Sequence, residues 1–116
     1  MGSNICLPET PLCVTQGDTE TYNLAFTQDG TTALDLTDST IEFVVIRSRS
    51  DPEADAVISK TITSFDDPTT GEAELELTSL DTNQSLGKYY YRLKIEFADG
   101  KVKTIMKGDF DVEWAK

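Results

Sequence analysis

The side chains best suited to chemistry in this sequence do not form a recognisable catalytic group. Histidine, the usual general base near neutral pH, is absent from the sequence, and no serine or cysteine sits in a G-x-S-x-G nucleophile elbow. Two carboxylate pairs remain, Asp66 with Asp67 and Glu74 with Glu76. The first lies in a proline-containing turn and the second alternates outward on a predicted strand, which is typical of solvated charge. We therefore expect no catalytic residues and no enzymatic activity.

Oxygen and sulfur ligands for a metal ion are present but lack a binding pattern. Aspartates occur in several predicted turns, namely Asp29, Asp35, Asp38, Asp66 and Asp67. No D-x-[DN]-x-[DN]-G calcium loop accompanies them. Cys6 and Cys13 do not form a C-x-x-C pair, and a zinc site needs about four ligands. A disulfide between these two cysteines stays open beside the favoured alternative of two free thiols. We expect no metal and no cofactor.

The aromatic residues concentrate in the stretch "LGKYYYRLKIEFADGKVKTIMKGDFDVEW" (86–114). A stacking platform for bases or sugars needs adjacent rings on one exposed face. If Asp99 and Gly100 form a two-residue turn, residues whose numbers sum to 199 face each other in a hairpin. Tyr89 and Tyr91 then point into the core and only Tyr90 points outward. A sugar-binding module that acts through Tyr90 is kept as a second hypothesis.

The same register predicts the other pairs of this hairpin. Tyr91 faces Gly108, whose bare backbone an aromatic ring can cover. Ile95 faces Thr104 on the inner side. On the outer side Glu96 faces Lys103 and Lys88 faces Asp111, opposite-charge pairs worth roughly a few tenths of a kcal/mol each. Arg92 against Lys107 is the one conflicting pair.

Two groups of side chains are candidates for a partner interface. One is the outward face of this hairpin. The other belongs to "TIEFVVIRS" (40–48), which is apolar on both parities, whereas a sandwich strand normally needs only one apolar face. Its second face is either covered by a loop or reserved for a partner. The interface candidates are Tyr90, Arg92, Lys94, Ile105, Lys107, Val44 and Ile46.

The charge and length of the chain restrict its partners. It has 116 residues, which suits one domain (1–116). With 21 acidic and 10 basic residues its net charge is -11, so we expect no nucleic-acid binding. No apolar run approaches the roughly 18 residues of a membrane span, so we expect no membrane insertion. Residues 1–46 lack Lys and Arg, while six of the ten basic residues lie between Lys88 and Lys107. Such opposite patches favour head-to-tail contacts in a homo-oligomeric ring.

Apolar residues recur at every second position through most of the chain, which indicates β-strands. We predict strands near 11–16, 20–28, 32–37, 40–48, 56–64, 72–78, 88–97 and 101–114. A single helical turn is predicted around "TSLDTNQSL" (78–86). The fold class is therefore all-β, an immunoglobulin-like antiparallel β-sandwich of about seven to eight strands. Residues 1–14 form either an extended N-terminal arm or an edge strand.

The segment "AELELTSLDTNQSLGKYYYRL" (73–93) resembles the E–F corner of immunoglobulin-like domains. In that corner a tyrosine hydroxyl donates a hydrogen bond to the backbone a few residues upstream. Tyr89 is the candidate for this role. The B–F disulfide of antibody domains is absent, because both cysteines lie within the first 13 residues.

Taken in order, several segments resemble the N-terminal domain of tailed-phage baseplate upper proteins over residues 15–113. The markers are Gly17-Asp18, Asp35-Leu36-Thr37, Gly71 with Leu75 and Leu77, the Gly87-Lys88-Tyr89 start of a strand, Asp99-Gly100 and Gly108-Asp109-Phe110. The resemblance implies an immunoglobulin-like adaptor in a virion that docks to other phage virion proteins of the baseplate or tail and carries a receptor-binding part.

The sequence departs from this family where it ends, two residues after Trp114. Baseplate upper proteins usually continue into a stem or a fibre-holding region. The chain is therefore expected to be either an excised domain or a free-standing virion protein built on the same module. In the second case, positions in the tail, the neck and the capsid surface all remain open. A host-surface glycan is a weaker candidate partner.

Overall fold

The computed structural model describes residues 11–27, 32–52 and 55–114. Seven strands lie in this part of the chain: β1 (Leu12–Thr15), β2 (Glu20–Ala25), β3 (Thr40–Ile46), β4 (Ile58–Ile62), β5 (Glu72–Leu77), β6 (Gly87–Glu96) and β7 (Val102–Glu113). A 3-10 turn (Pro68–Thr70) precedes β5, and the one-turn helix α1 (Ser79–Thr82) joins β5 to β6. No helix within the described ranges is long and apolar enough to cross a membrane.

The strands form two sheets, one of five strands in the order β1-β7-β6-β3-β4 and one of two strands, β2-β5. Immunoglobulin folds place strands C, F, G and C′ in one sheet and strands B and E in the other. Here β3, β6, β7 and β4 correspond to the first set, and β2 and β5 to the second. The chain is an all-β immunoglobulin-like sandwich, as the sequence predicted.

The edge strand β1 departs from the antiparallel prediction. It pairs with β7 in parallel, whereas the other paired strands in the described residues run antiparallel. The first ten residues of the predicted N-terminal arm lie outside the described residues.

The core lies between the two sheets and is centred on three rings. The Phe43 ring lies 5.7 Å from that of Tyr91 and 6.1 Å from that of Phe110, centre to centre. Immunoglobulin domains set a strand-C tryptophan against a cysteine two residues after the corner tyrosine. Phe43 on β3 and Tyr91 on β6 occupy the corresponding places. Aromatic packing therefore fills the position that a disulfide holds in antibody domains.

The predicted tyrosine corner is present. The Tyr89 hydroxyl donates a 2.8 Å hydrogen bond to the Ser85 carbonyl oxygen. The chain reaches it through α1, which begins with a capping box between Thr78 and Asp81. Lys60 of β4 lies 2.6 Å from the Asp81 carboxylate. This ion pair ties the corner to the five-stranded sheet.

The strand predicted at 32–37 is wrong. In the described part of this segment the only strand-like pairing is an isolated bridge between Thr27 and Ala33. Asp35 accepts hydrogen bonds from the backbone and hydroxyl of Thr37, a local turn that competes with ladder pairing. Leu36 is nevertheless fully buried in the core. The apolar alternation here comes from a loop that inserts side chains into the sandwich.

Candidate interaction site on the five-stranded sheet

The β6–β7 hairpin sets the direction of the tyrosines as the sequence predicted. From Gly87 opposite Val112 to Leu93 opposite Met106, every pair has the expected register. Tyr89 and Tyr91 are 5% and 2% exposed and belong to the core. Tyr90 lies on the opposite, outer face and is half-buried.

Beyond Leu93 the register shifts by one residue, so Lys94 faces Thr104 and Glu96 faces Val102. The turn is one residue longer than predicted: the Phe97 amide donates to the Lys101 carbonyl at 2.8 Å, which encloses three residues. Gly100 takes the left-handed conformation, φ 89°, that such a loop requires.

A β-bulge at Ile105 absorbs the extra residue of the longer turn. The predicted pairs of Glu96 with Lys103 and of Ile95 with Thr104 are therefore wrong. Ile105 is also misassigned to the outer face, because it packs partly against the core cluster.

Val44 and Ile46 lie on the outer face of β3 but are only 3% exposed each. Since β3 lies between β6 and β4, side chains of both neighbours flank them. Val44 lies between Arg92 and Ser59, and Ile46 lies beside Tyr90. They therefore form a covered floor and do not present the open apolar surface considered as an alternative from the sequence.

Arg49, which sequence reasoning missed, lies in the loop after β3 and reaches over the Tyr90 ring beside this floor. Its guanidinium carbon lies 4.9 Å from the centre of the Tyr90 ring, a cation–π distance. The same side chain lies 3.7 Å from Asp109, which also binds Lys88 at 3.3 Å. Arg49 therefore occupies one face of the Tyr90 ring, which limits stacking of a sugar there. The only sequence signal was the cationic "RSR" (47–49) directly after an apolar strand.

A cavity of about 200 Å³ opens on this outer face. Its lining includes Ile46, Arg49, Tyr90, Arg92, Lys107 and Gly108. The structure thus brings together four of the seven predicted interface residues, namely Tyr90, Arg92, Lys107 and Ile46. Lys94, which faces Glu42 of β3, and the inward-packed Ile105 do not line it. Val44 does not line it either.

A second cavity, of about 540 Å³, lies beside β2 and β5 and is lined by the acidic residues Asp66, Asp67, Glu72 and Glu74 together with neutral side chains. Asp67 accepts hydrogen bonds from the Thr69 hydroxyl and backbone amide, and these bonds lower the pKa of its carboxyl group. It caps the 3-10 turn. Within the described ranges no three metal-ligating side chains converge, and Asp29 lies outside them.

Comparison with known proteins gives fold relatives only. Neither a protein-family profile nor a curated protein matches this sequence. CopC from Methylosinus trichosporium OB3b is 17% identical over 94% of this chain and 89% of its own, with a TM-score of 0.52. The soluble domain of PmoD from Methylocystis sp. ATCC 49242 (Rockwell) is 13% identical over 89% and 77%, with a TM-score of 0.51. At such identities the likeness establishes a shared fold and nothing about activity.

Proposed function

We propose that this protein is a non-enzymatic structural adaptor of a tailed-bacteriophage virion, positioned in the baseplate or tail. It docks to neighbouring virion subunits through the outer face of its five-stranded sheet. The ordered resemblance of residues 15–113 to the N-terminal domain of baseplate upper proteins supports this assignment. A neck or capsid position on the same particle is the alternative.

The observation that carries the docking proposal is the basic cavity on an otherwise acidic protein. Arg49, Arg92 and Lys107 converge around Tyr90, although the chain as a whole carries a net charge of -11. Complementary patches steer association and fix orientation. This face therefore suits an acidic partner surface, whether on another virion protein or on a second copy in a ring.

The position of the cavity suits a rigid contact. It lies over β3, β6 and β7, which are neighbours in the sheet, and its floor residue Ile46 is buried. The backbone of a packed sheet is already ordered, so a partner that binds here orders only side chains such as Arg49 and Lys107. An adaptor built this way transmits the orientation of one subunit to the next.

Incorporation into particles tests the proposal. We expect the double change Arg49→Glu and Lys107→Glu to reduce the amount of the protein in purified particles, measured by quantitative mass spectrometry. The matched control is Lys101→Glu with Lys103→Glu, which reverses two exposed charges near the tip of the same hairpin. Thermal unfolding of both variants checks that the sandwich is intact.

Two results would contradict the proposal. Wild-type incorporation of the Arg49 and Lys107 variant would discard the docking face. Absence of the wild-type protein from purified particles would discard the virion assignment.

A further inference from the structure

We propose that the open edge of β5 binds an extended segment of a partner protein as a third strand of the β2–β5 sheet. In that segment Lys or Arg alternates with apolar residues. The edge belongs to the smaller sheet, whereas the docking face described above belongs to the five-stranded sheet. The inference therefore goes beyond the proposed function and does not depend on it.

The strand β5 has a hydrogen-bonded neighbour on one side. It pairs with β2 along its whole length, Glu72–Leu77. On its other side no strand of the described ranges is paired with it. Such an edge presents unpaired N–H and C=O groups, and an extended segment can bind them by adding a strand.

The hydrogen bonds of the ladder show which residues of β5 present these groups. The Phe26 amide donates to the Gly71 carbonyl at 2.8 Å, one step beyond the last pair of the β2–β5 register. Hydrogen-bonded pairs alternate with non-bonded pairs in an antiparallel ladder. The backbone groups of Glu72, Glu74 and Glu76 therefore point away from β2, toward the open edge.

The side chains of Glu72, Glu74 and Glu76 form one row. Alternate residues of a strand share a face, so neighbouring members of the row are about 7 Å apart along the strand. All three are exposed, and no described residue forms an ion pair with them. An added strand that runs antiparallel to β5 places one of its own residues directly opposite each glutamate. Lys or Arg at those alternate positions forms opposite-charge pairs with the row.

The cavity of about 540 Å³ suits the other face of the added strand. It is lined by residues 72–74 of β5 and by residues 64–67, which approach the strand from the preceding loop. Its lining includes the half-buried apolar residues Leu24, Phe65 and Ala73. Apolar side chains between the cations of the added strand point inward and cover this apolar surface.

The glutamate row disfavours pairing of two copies through this edge. Antiparallel pairing of β5 with β5 of a second copy would set glutamate opposite glutamate, and like charges directly opposite destabilise a sheet. Charged side chains on an edge strand often prevent such self-pairing. The row that repels a second copy attracts a basic segment, so the partner is a different protein.

Titration of the full chain with synthetic peptides tests the edge, followed by backbone amide NMR signals and amide hydrogen exchange. The probe is acetyl-Thr-Lys-Val-Lys-Val-Lys-Thr-amide. Its matched control, acetyl-Thr-Val-Lys-Lys-Lys-Val-Thr-amide, has the same composition without the alternation. We expect saturable binding of the probe, slower exchange at the amides of Glu72, Glu74 and Glu76, and about tenfold weaker binding of the control.

A backbone change in the probe separates strand addition from charge attraction alone. In an antiparallel pairing the amide of the central lysine faces β5, whereas the valine amides point away from it. N-methylation of the central lysine should therefore abolish binding, and N-methylation of a valine should preserve it.

Charge variants of the protein test the glutamate row. Glu74→Gln with Glu76→Gln should weaken binding of the probe about fivefold, because two of the three cross-strand ion pairs are lost. The matched control is Glu96→Gln with Glu113→Gln, which removes two exposed charges from the five-stranded sheet and should leave binding unchanged.

Several results would overturn the proposal. Equal binding of the two peptides, or equal losses from the two double changes, would reduce the interaction to general charge attraction. Failure of the probe to bind would mean that the glutamates only prevent self-pairing. Self-association of the wild-type chain that the probe inhibits would assign the edge to a second copy. Each of these results leaves the particle-incorporation test unaffected, because that test concerns the other sheet.

Discussion

The Tyr89→Phe change examines the corner that starts β6. It removes one hydroxyl and keeps the buried ring. The lost contact is the 2.8 Å hydrogen bond from the Tyr89 hydroxyl to the Ser85 carbonyl oxygen. This bond closes the turn between α1 and β6 and so fixes the position at which β6 begins. It thereby helps to keep Tyr89 on the inner face of the strand and Tyr90 on the outer face.

The size of the effect follows from the surroundings of the acceptor. Ser85 is exposed, so water can hydrate its carbonyl once the hydroxyl is gone. The full penalty of an unsatisfied buried group therefore does not apply. What remains is the net worth of one hydrogen bond, about 1 kcal/mol. For a domain of 116 residues this corresponds to a fall in Tm of about 3–6 °C.

Urea and thermal unfolding followed by circular dichroism measure this loss. Tyr90→Phe is the matched control, since it removes the hydroxyl of the adjacent residue and keeps the ring beneath Arg49, and it should change stability by less than about 0.5 kcal/mol. Ser85→Ala should also be neutral, because the acceptor is a backbone oxygen. A Tyr89→Phe protein as stable as wild type, or an equal loss from Tyr90→Phe, would refute the corner and the assigned parity.

Three further outcomes are expected. Phe43→Ala should cost about 3–5 kcal/mol in urea unfolding, because its ring packs on two other core rings; a loss below about 1 kcal/mol would contradict the aromatic core. Partial burial alone would raise the pKa of Asp81, but hydrogen bonds led by that from Lys60 hold it below its usual value of 3.8. Its stabilising contribution is therefore complete above about pH 5, where Asp81 is ionised in the unfolded chain as well, and is lost as the pH falls through the lowered pKa. Asp81→Asn should flatten the acid limb of stability against pH. A hydrogen bond to Glu113, with burial, raises the pKa of the free Cys13 thiol to about 11. Its alkylation at pH 8 should be about 100-fold slower than that of a thiol with the ordinary pKa of 9.0, and faster after Glu113→Gln, as peptide mass mapping can measure.

Regular alternation made most of the sandwich predictable. In β6 the apolar residues keep strict period two, and a slip of one residue would have exposed every one of them. The inward direction of Tyr89 and Tyr91 and their pairing with Phe110 and Gly108 therefore followed from the sequence. The corner was predictable for a similar reason, since its turn and its tyrosine lie close together in the chain.

The wrong predictions, the strand at 32–37 and the hairpin register beyond Leu93, have local physical causes. Leu34 and Leu36 alternate as apolar residues do in a strand. The Asp35 side chain instead bonds to Thr37 and bends the backbone, and Leu36 packs into the core from a loop. Asp99-Gly100 suits both two-residue and three-residue turns, so the bulge at Ile105 left no clear trace in the pattern.

Arg49 was missed for another reason. It lies in a polar loop without periodicity, and its place over Tyr90 depends on how that loop folds back. The loop contributes a wall of the candidate pocket that no strand pattern could reveal.

The parallel pairing of β1 with β7 has a mechanical consequence. Leu12 lies opposite Phe110 and Thr15 opposite Glu113, so tension applied to the N-terminal end of β1 and the C-terminal end of β7 pulls the two strands lengthwise past each other. Their hydrogen bonds then bear the load together instead of opening one by one. Single-molecule pulling between residues 11 and 114 should need a higher rupture force than pulling between residues 87 and 113, which unzips the hairpin from its open end. A lower force in the first geometry would contradict this. An edge of this kind can hold a load along the length of its strands.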